Sequence, residues 1–152
     1  MSRYNSGVTG DAKAVRVWLI LWKAAHAIER NAAASAAASG LGLSEFAVLE
    51  ALLHKGPLPV NVIGKKVLLK SGSITAAVDR LEKRKLVRRA AAADDRRARM
   101  VQLTDAGREL IEEAFRRHEA DMEQTLAVLK SAERIELVRL LKKAGLWAEA
   151  RL

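Results

Sequence analysis

Apolar residues recur along the chain at steps of three and four in some stretches and alternate in others. Val15, Trp18, Leu19, Trp22, Ala25 and Ile28 share one face of a helix that begins near Asp11. The alanine-rich run 32–38 continues it, and Gly40 and Gly42 end it. Ser44 is suited to cap the next helix, with Glu45 in its first turn and Phe46, Leu49, Leu52 and Leu53 facing inwards. Gly56 and Pro57 stop that helix, and residues 58–60 form a short extended link. Val60, Ile63 and Val67 mark a short helix. Ser71 and Gly72 form a break, and a further helix with Ile74, Val78 and Leu81 on its inner face runs to about Lys85.

The period then changes. Leu86-Val87-Arg88-Arg89 and Met100-Val101-Gln102-Leu103 read as two strands of a β-hairpin around a polar tip with Asp94, Asp95, Arg96 and Arg97. Thr104 caps a long helix with Ile111, Phe115, Met122, Leu126 and Leu129 on one side. Ser131 opens a last helix carrying Ile135, Val138, Leu141 and Ala144, with Leu137 and Leu140 beside them. Three short helices followed by a hairpin is the layout of a winged helix-turn-helix. The fold class expected is mainly α: a winged helix-turn-helix with a β-hairpin wing and long N- and C-terminal dimerisation helices. The expected divisions are a flexible tail at 1–10, an N-terminal dimerisation helix at 11–40, a DNA-binding lobe at 41–104 and C-terminal dimerisation helices at 105–152. The end helices carry more apolar surface than so small a lobe covers, and pairing into a two-fold homodimer would bury it.

Charge narrows the choice of partner. Lys and Arg number 27 against 18 Asp and Glu in 152 residues, a net charge of +9, and such a field attracts polyanions, nucleic acid first among them. There is no cysteine, which excludes disulfides, thiolate zinc sites and thiol redox sensing. The polar opening has no apolar signal core, and no apolar run approaches the roughly 20 residues of a membrane span. A cytoplasmic protein that engages no membrane is expected. The histidines His26, His54 and His118 sit in no nucleophile elbow, P-loop, dinucleotide fingerprint or HExxH helix, so neither an enzyme, a metal site nor a cofactor is expected. A basic helical module binding membranes or partners is the rival class, but the mixed charges Arg116, Arg117, Glu112, Glu113 and Glu119 suit a solvated helix or a dimer arm better.

The ordered strings Leu43-Ser44-Glu45-Phe46-Ala47-Val48-Leu49, Gly56-Pro57-Leu58, Thr75-Ala76-Ala77-Val78-Asp79-Arg80-Leu81-Glu82-Lys83, Leu86-Val87-Arg88-Arg89, Asp95-Arg96-Arg97 and Val101-Gln102-Leu103-Thr104-Asp105-Ala106-Gly107 resemble the MarR family of bacterial transcription regulators. They span residues 43–107 in that family's order and spacing. The resemblance implies a homodimer on a pseudo-palindromic operator in double-stranded DNA, usually a repressor, often released by a small phenolic or other aromatic ligand bound between the dimer arm and the DNA-binding lobe. Residues 62–69 and 71–75 are most similar to a branch that responds to quinones and hydroquinones. A non-specific architectural DNA-binding protein is the alternative within the same chemistry.

The helix starting after residue 70 would read DNA through its first turns, with Ser71, Gly72, Ser73, Thr75, Ala76 and Arg80. Capping is the simpler role for Ser71. Arg80 reaches either DNA or a structural ion pair with the wing. Lys65, Lys66 and Lys70 surround the preceding turn and suit phosphate contacts, or a solvated charged face. The resemblance places Arg97 in the minor groove, Asp95 as a brace for an arginine and Arg96 near the backbone. Residues 90–93 are all alanine, a departure from the polar, charged or proline residues of that family. Trp18, Trp22, His26 and His54 could hold an aromatic ligand by stacking, or form packed dimer core.

Overall fold

A computed structural model describes residues 13–67, 71–91 and 99–152. In chain order the elements are α1 (Ala14–Ala37), α2 (Leu43–Lys55), β1 (Leu58–Pro59), α3 (Val60–Val67), α4 (Ser71–Lys83), β2 (Val87–Ala91), β3 (Arg99–Leu103), α5 (Asp105–Thr125) and α6 (Ser131–Glu149). This is the winged helix-turn-helix expected, with α3 and α4 as the helix pair and β2–β3 as the hairpin.

One core holds the centre. Phe46, Leu49 and Leu52 of α2 meet Ile63 of α3, Ile74, Val78 and Leu81 of α4, Val101 of β3 and Ile111 of α5, all buried. Their spacings are those read from the sequence. Ala77 and Val48 are equally buried, because helices meeting closely need small or β-branched residues between the large ones.

The structure corrects several local expectations. Ser44 does not cap α2; Gly42 does, and Ser44 lies in the first turn. The reason is Glu45, whose Oε2 accepts the Gly42 N–H at 2.8 Å from inside the helix, while Leu41 and Phe46 are buried at the two positions of a hydrophobic staple. Ser71 and Gly72 are the first residues of α4, not a break before it. The link at 58–60 is partly a strand: Leu58 and Pro59 pair antiparallel with Val101 and Met100, giving a sheet of order β1-β3-β2, and Val60 already belongs to α3. Proline is tolerated there because β1 is an edge. The hairpin pairs Val87 with Leu103 through Ala91 with Arg99, and alanines at 90 and 91 do not prevent strand pairing. Helix α5 ends at Thr125, so Leu126 and Leu129 lie in the turn before α6.

Thr104 caps α5 as expected. Its Oγ1 accepts the Gly107 N–H at 3.0 Å and donates towards the carbonyls of Lys85 and Leu86 at 2.8 and 3.1 Å. That seam ties the end of α4 to the start of α5. It also leaves no room at Gly107, where a Cβ would lie 1.8 Å from the Leu86 carbonyl oxygen.

The arms are different in kind. Helix α1 packs along α5 but buries only Ser35 and Ala36, while Trp18, Trp22 and their apolar neighbours stay exposed. No residue of α6 is buried, and Ile135, Val138, Leu141, Leu146 and Trp147 face solvent. Among the described residues no helix is long and apolar enough to cross a membrane.

Two substitutions test the α4–α5 seam by urea unfolding followed by circular dichroism. Gly107→Ala is expected to destabilise by about 1–3 kcal/mol, the usual cost of overpacking. Lys85, in the turn two residues past the end of α4, has φ 58, a left-handed conformation that costs an L-residue about 1 kcal/mol, so Lys85→Gly is expected to raise stability.

Candidate nucleic-acid interface

Helix α4 divides cleanly into two faces. Ile74, Ala77, Val78 and Leu81 enter the core, while Ser73, Thr75, Ala76, Asp79 and Arg80 face outwards. The outer face of the first turns therefore offers hydroxyls and a methyl group, small enough for close approach to base edges. Ser71 and Gly72 lie in the same first turn; their side chains are outside the described residues. Lys65 is exposed on α3. Lys66 lies in α3 with its side chain outside the described residues, and Lys70, Asp95, Arg96 and Arg97 lie outside them altogether. The outer face of α4 is thus described from Ser73 onwards, and the hairpin tip lies outside the described residues.

Arginines fix α4 from both sides. On the hairpin side, Arg89 of β2 reaches back across the helix: Nη2 donates to Asp79 Oδ1 at 2.6 Å, Nη1 donates to Glu82 Oε2, and the Arg89 backbone N–H donates to Glu82 Oε1 at 3.1 Å. The bond from Asp79 is the largest influence on the guanidinium and raises its pKa; burial opposes this, and the bond and charge of Glu82 add to the rise. The root of the wing is thereby pinned to the helix beside it. On the far side, Arg80 Nε donates to Glu45 Oε1 at 3.0 Å, and Arg84 Nη1 lies 3.7 Å from Glu45 Oε2. The ion pair anticipated for Arg80 exists, but its partner is α2 rather than the wing. The reason is the capping bond to the Gly42 N–H, which holds the nearly buried Glu45 carboxylate in the first turn of α2, facing Arg80. Glu45 was read from the sequence as a first-turn residue, and nothing in its spacing pointed to an arginine 35 positions away.

The four residues considered for a ligand are not one cluster. The Trp22 and His26 rings lie 4.4 Å apart on α1, with His26 Nδ1 3.0 Å from the Trp22 carbonyl oxygen. Trp18 is exposed one turn earlier. His54, at the end of α2, stacks edge-on against Phe115 of α5 at 4.8 Å. A cleft of about 480 Å³ instead lies between α1 and α5, lined by Asn31, Ala34, Ser35, Ala38, Asp121, Gln124 and Thr125. The Ser35 hydroxyl is buried there with no hydrogen-bond partner. In sequence it is the one polar residue in the alanine run 32–38, a signal that could have singled it out. His118, which belongs to no catalytic motif in the sequence, packs its ring tilted against Phe46 at 4.7 Å, with Nδ1 buried and without a hydrogen-bond partner.

Comparison with known proteins agrees with this geometry. The MarR family model matches residues 39–98. The HTH-type transcriptional regulator MhqR of Bacillus subtilis is 38% identical over 137 residues, covering 90% of this chain and 94% of that protein. A crystal structure of a probable transcriptional regulator from Pseudomonas aeruginosa is 31% identical with a TM-score of 0.72, over 85% of this chain and 96% of that one. BpsR of Bordetella bronchiseptica, whose DNA binding is regulated by 6-hydroxynicotinic acid, superposes with a TM-score of 0.77 at 29% identity, over 86% of this chain and 98% of that one.

The Arg89 clamp is open to a double-mutant cycle. A hydrogen bond between charged groups is worth about 1.5–3 kcal/mol, but Glu82 and Asp79 are partly solvated and screened. Arg89→Ala combined with Glu82→Ala is expected to give a coupling of about 1 kcal/mol in urea unfolding.

Proposed function

This chain belongs to the MarR family of DNA-binding transcription regulators, and from that premise we propose that it acts as a homodimeric repressor on a pseudo-palindromic operator. The observation that carries the reading is the outer face of α4, small and hydroxyl-bearing in its first turns and pinned on both sides to the lobe. Two such helices in a dimer would enter successive major grooves about 34 Å apart. Ser71, Gly72, Ser73, Thr75 and Ala76 would meet the DNA there. Lys65, Lys66 and Lys70 would lie along phosphates, and Arg97, with Arg96 beside it and Asp95 bracing the tip, would enter the minor groove. Arg80 has a partner in Glu45 and is assigned to positioning.

The dimer reading is supported by the arms. Exposed tryptophans, leucines and valines on α1 and α6 form more apolar surface than a monomer ordinarily leaves in water. A second copy would cover them, with Trp18 and Trp22 in that seam.

Control by an aromatic ligand is supported by BpsR, whose DNA binding responds to 6-hydroxynicotinic acid. Such a ligand would act by favouring a dimer with a different spacing of its lobes. A coupling of about 1–3 kcal/mol would change operator affinity roughly 5- to 150-fold. Of the residues considered, Trp22 and His26, whose rings lie 4.4 Å apart, are the pair such a ligand would stack on at the edge of the dimer seam; His54 lies apart from them against Phe115.

The test is fluorescence anisotropy with DNA from upstream of the protein's own gene and a scrambled duplex, at several salt concentrations. Preference for the upstream duplex is expected; equal binding to both would mean an architectural protein. Arg97→Ala should weaken operator binding by about 1–3 kcal/mol with the dimer intact, and equal affinity would remove the wing assignment. Lys66→Ala should lower the salt slope by about 0.9 on both duplexes, as loss of one phosphate contact does.

A further inference from the structure

Glu45 is an unusual place for a charge. Its side chain is 9% exposed, whereas those of Arg80 and Arg84 are 54% and 41% exposed. The carboxylate has lost most of its water, and a desolvated anion binds a neighbouring cation strongly, because removing the partner would leave it uncompensated. Both its oxygens have partners: Oε2 accepts the Gly42 N–H at 2.8 Å and faces Arg84 at 3.7 Å, and Oε1 accepts from Arg80 Nε at 3.0 Å. Arg84 Nη1 also donates to the Gly40 carbonyl at 3.0 Å. Arg80 and Arg84 are one turn apart on α4, so a single anion draws both back towards the α1–α2 turn.

We infer that Glu45 is an internal counter-anion that withholds Arg80 and Arg84 from DNA phosphate, so that it sets the preference for operator over other DNA. The inference rests on the reading that α4 faces DNA. Phosphate contacts made by arginine carry no sequence information and strengthen binding to every duplex alike. Two mobile guanidinium groups on the reading helix would raise affinity for the whole genome, and with it the competition against one operator. Glu45 cancels one of those charges and fixes both stems. The lobe follows the same plan at Arg89, whose charge is spent on Asp79 and Glu82.

Glu45→Gln separates the charge from the cap, since the amide oxygen still accepts the Gly42 N–H. Salt titrations of wild type and E45Q against the upstream and scrambled duplexes read the effect. The salt slope of E45Q is expected to steepen by about 0.9 on both duplexes, one phosphate contact made by the released Arg80, because Arg84 keeps its bond to the Gly40 carbonyl. Between 50 and 200 mM salt that adds roughly 3.5-fold to the loss of affinity. At the lower salt, binding to the scrambled duplex should tighten and operator preference fall. In the E45Q background, Arg80→Ala with Arg84→Ala should restore the wild-type slope, whereas Arg80→Ala in the wild type should leave the slope unchanged.

A folded, dimeric E45Q with an unchanged slope would overturn the inference, as would a slope already reduced by about 0.9 in R80A alone. The second measurement stands even if E45Q fails to fold. Failure of the operator reading looks different: wild type would bind both duplexes equally, while the slope comparison would still decide the role of Glu45.

Discussion

Helix α4 is held from three directions, and the rest of the molecule is arranged around that grip. Below it, Ile74, Val78 and Leu81 lock into the α2 and α5 core. Beside it, Arg89 joins Asp79 and Glu82 to the root of the hairpin. Behind it, Glu45 holds Arg80 and Arg84. Apolar packing fixes the depth of a helix but leaves rotation and tilt comparatively soft. The two ion-pair systems supply direction, since charged hydrogen bonds are short and angular. For the DNA-reading role proposed for α4, such rigidity matters more than extra affinity.

The arms obey the opposite logic. Helices α1 and α6 are well formed yet largely unburied within one chain, and α6 buries nothing at all. Helix propensity accounts for their existence, because alanine, leucine, glutamate and lysine dominate them. Stability of so much exposed apolar surface in water needs a partner. The alanine run 32–38 lets α1 lie close along α5, and the cost of that closeness is a serine hydroxyl at position 35 buried without a hydrogen bond. The cleft beside it mixes polar side chains such as Asn31, Asp121 and Gln124 with alanines, unlike the tryptophan-bearing end of the same helix.

The sites read from sequence fared unevenly for identifiable reasons. Positions on one helix are tied by the 3.6-residue period, so the outward placement of Ser73, Thr75 and Ala76 was legible before any coordinates. Trp22 and His26, four residues apart, met for the same reason. His54 did not join them, because its neighbours are decided by how α2 lies on α5, and it found Phe115 instead. For Arg80 the sequence left two places open, DNA and an ion pair with the wing, and the structure pairs it with Glu45 of α2. Sequence could supply the charge and the need for a partner, but not which of several carboxylates would be nearest after folding.

Taken alone, the sequence determined much that is local: the helix periods, the Thr104 cap and the alternation of the two hairpin strands. Each of these depends on residues within a few positions of one another, where backbone geometry translates spacing directly into place. Tertiary structure alone decided the third strand formed by Leu58 and Pro59, the closeness of Gly107 to the Leu86 carbonyl and the convergence of Glu45 with Arg80 and Arg84. Those features join segments tens of residues apart. Their partners are selected by the packing of the whole core, and no spacing along the chain encodes that selection.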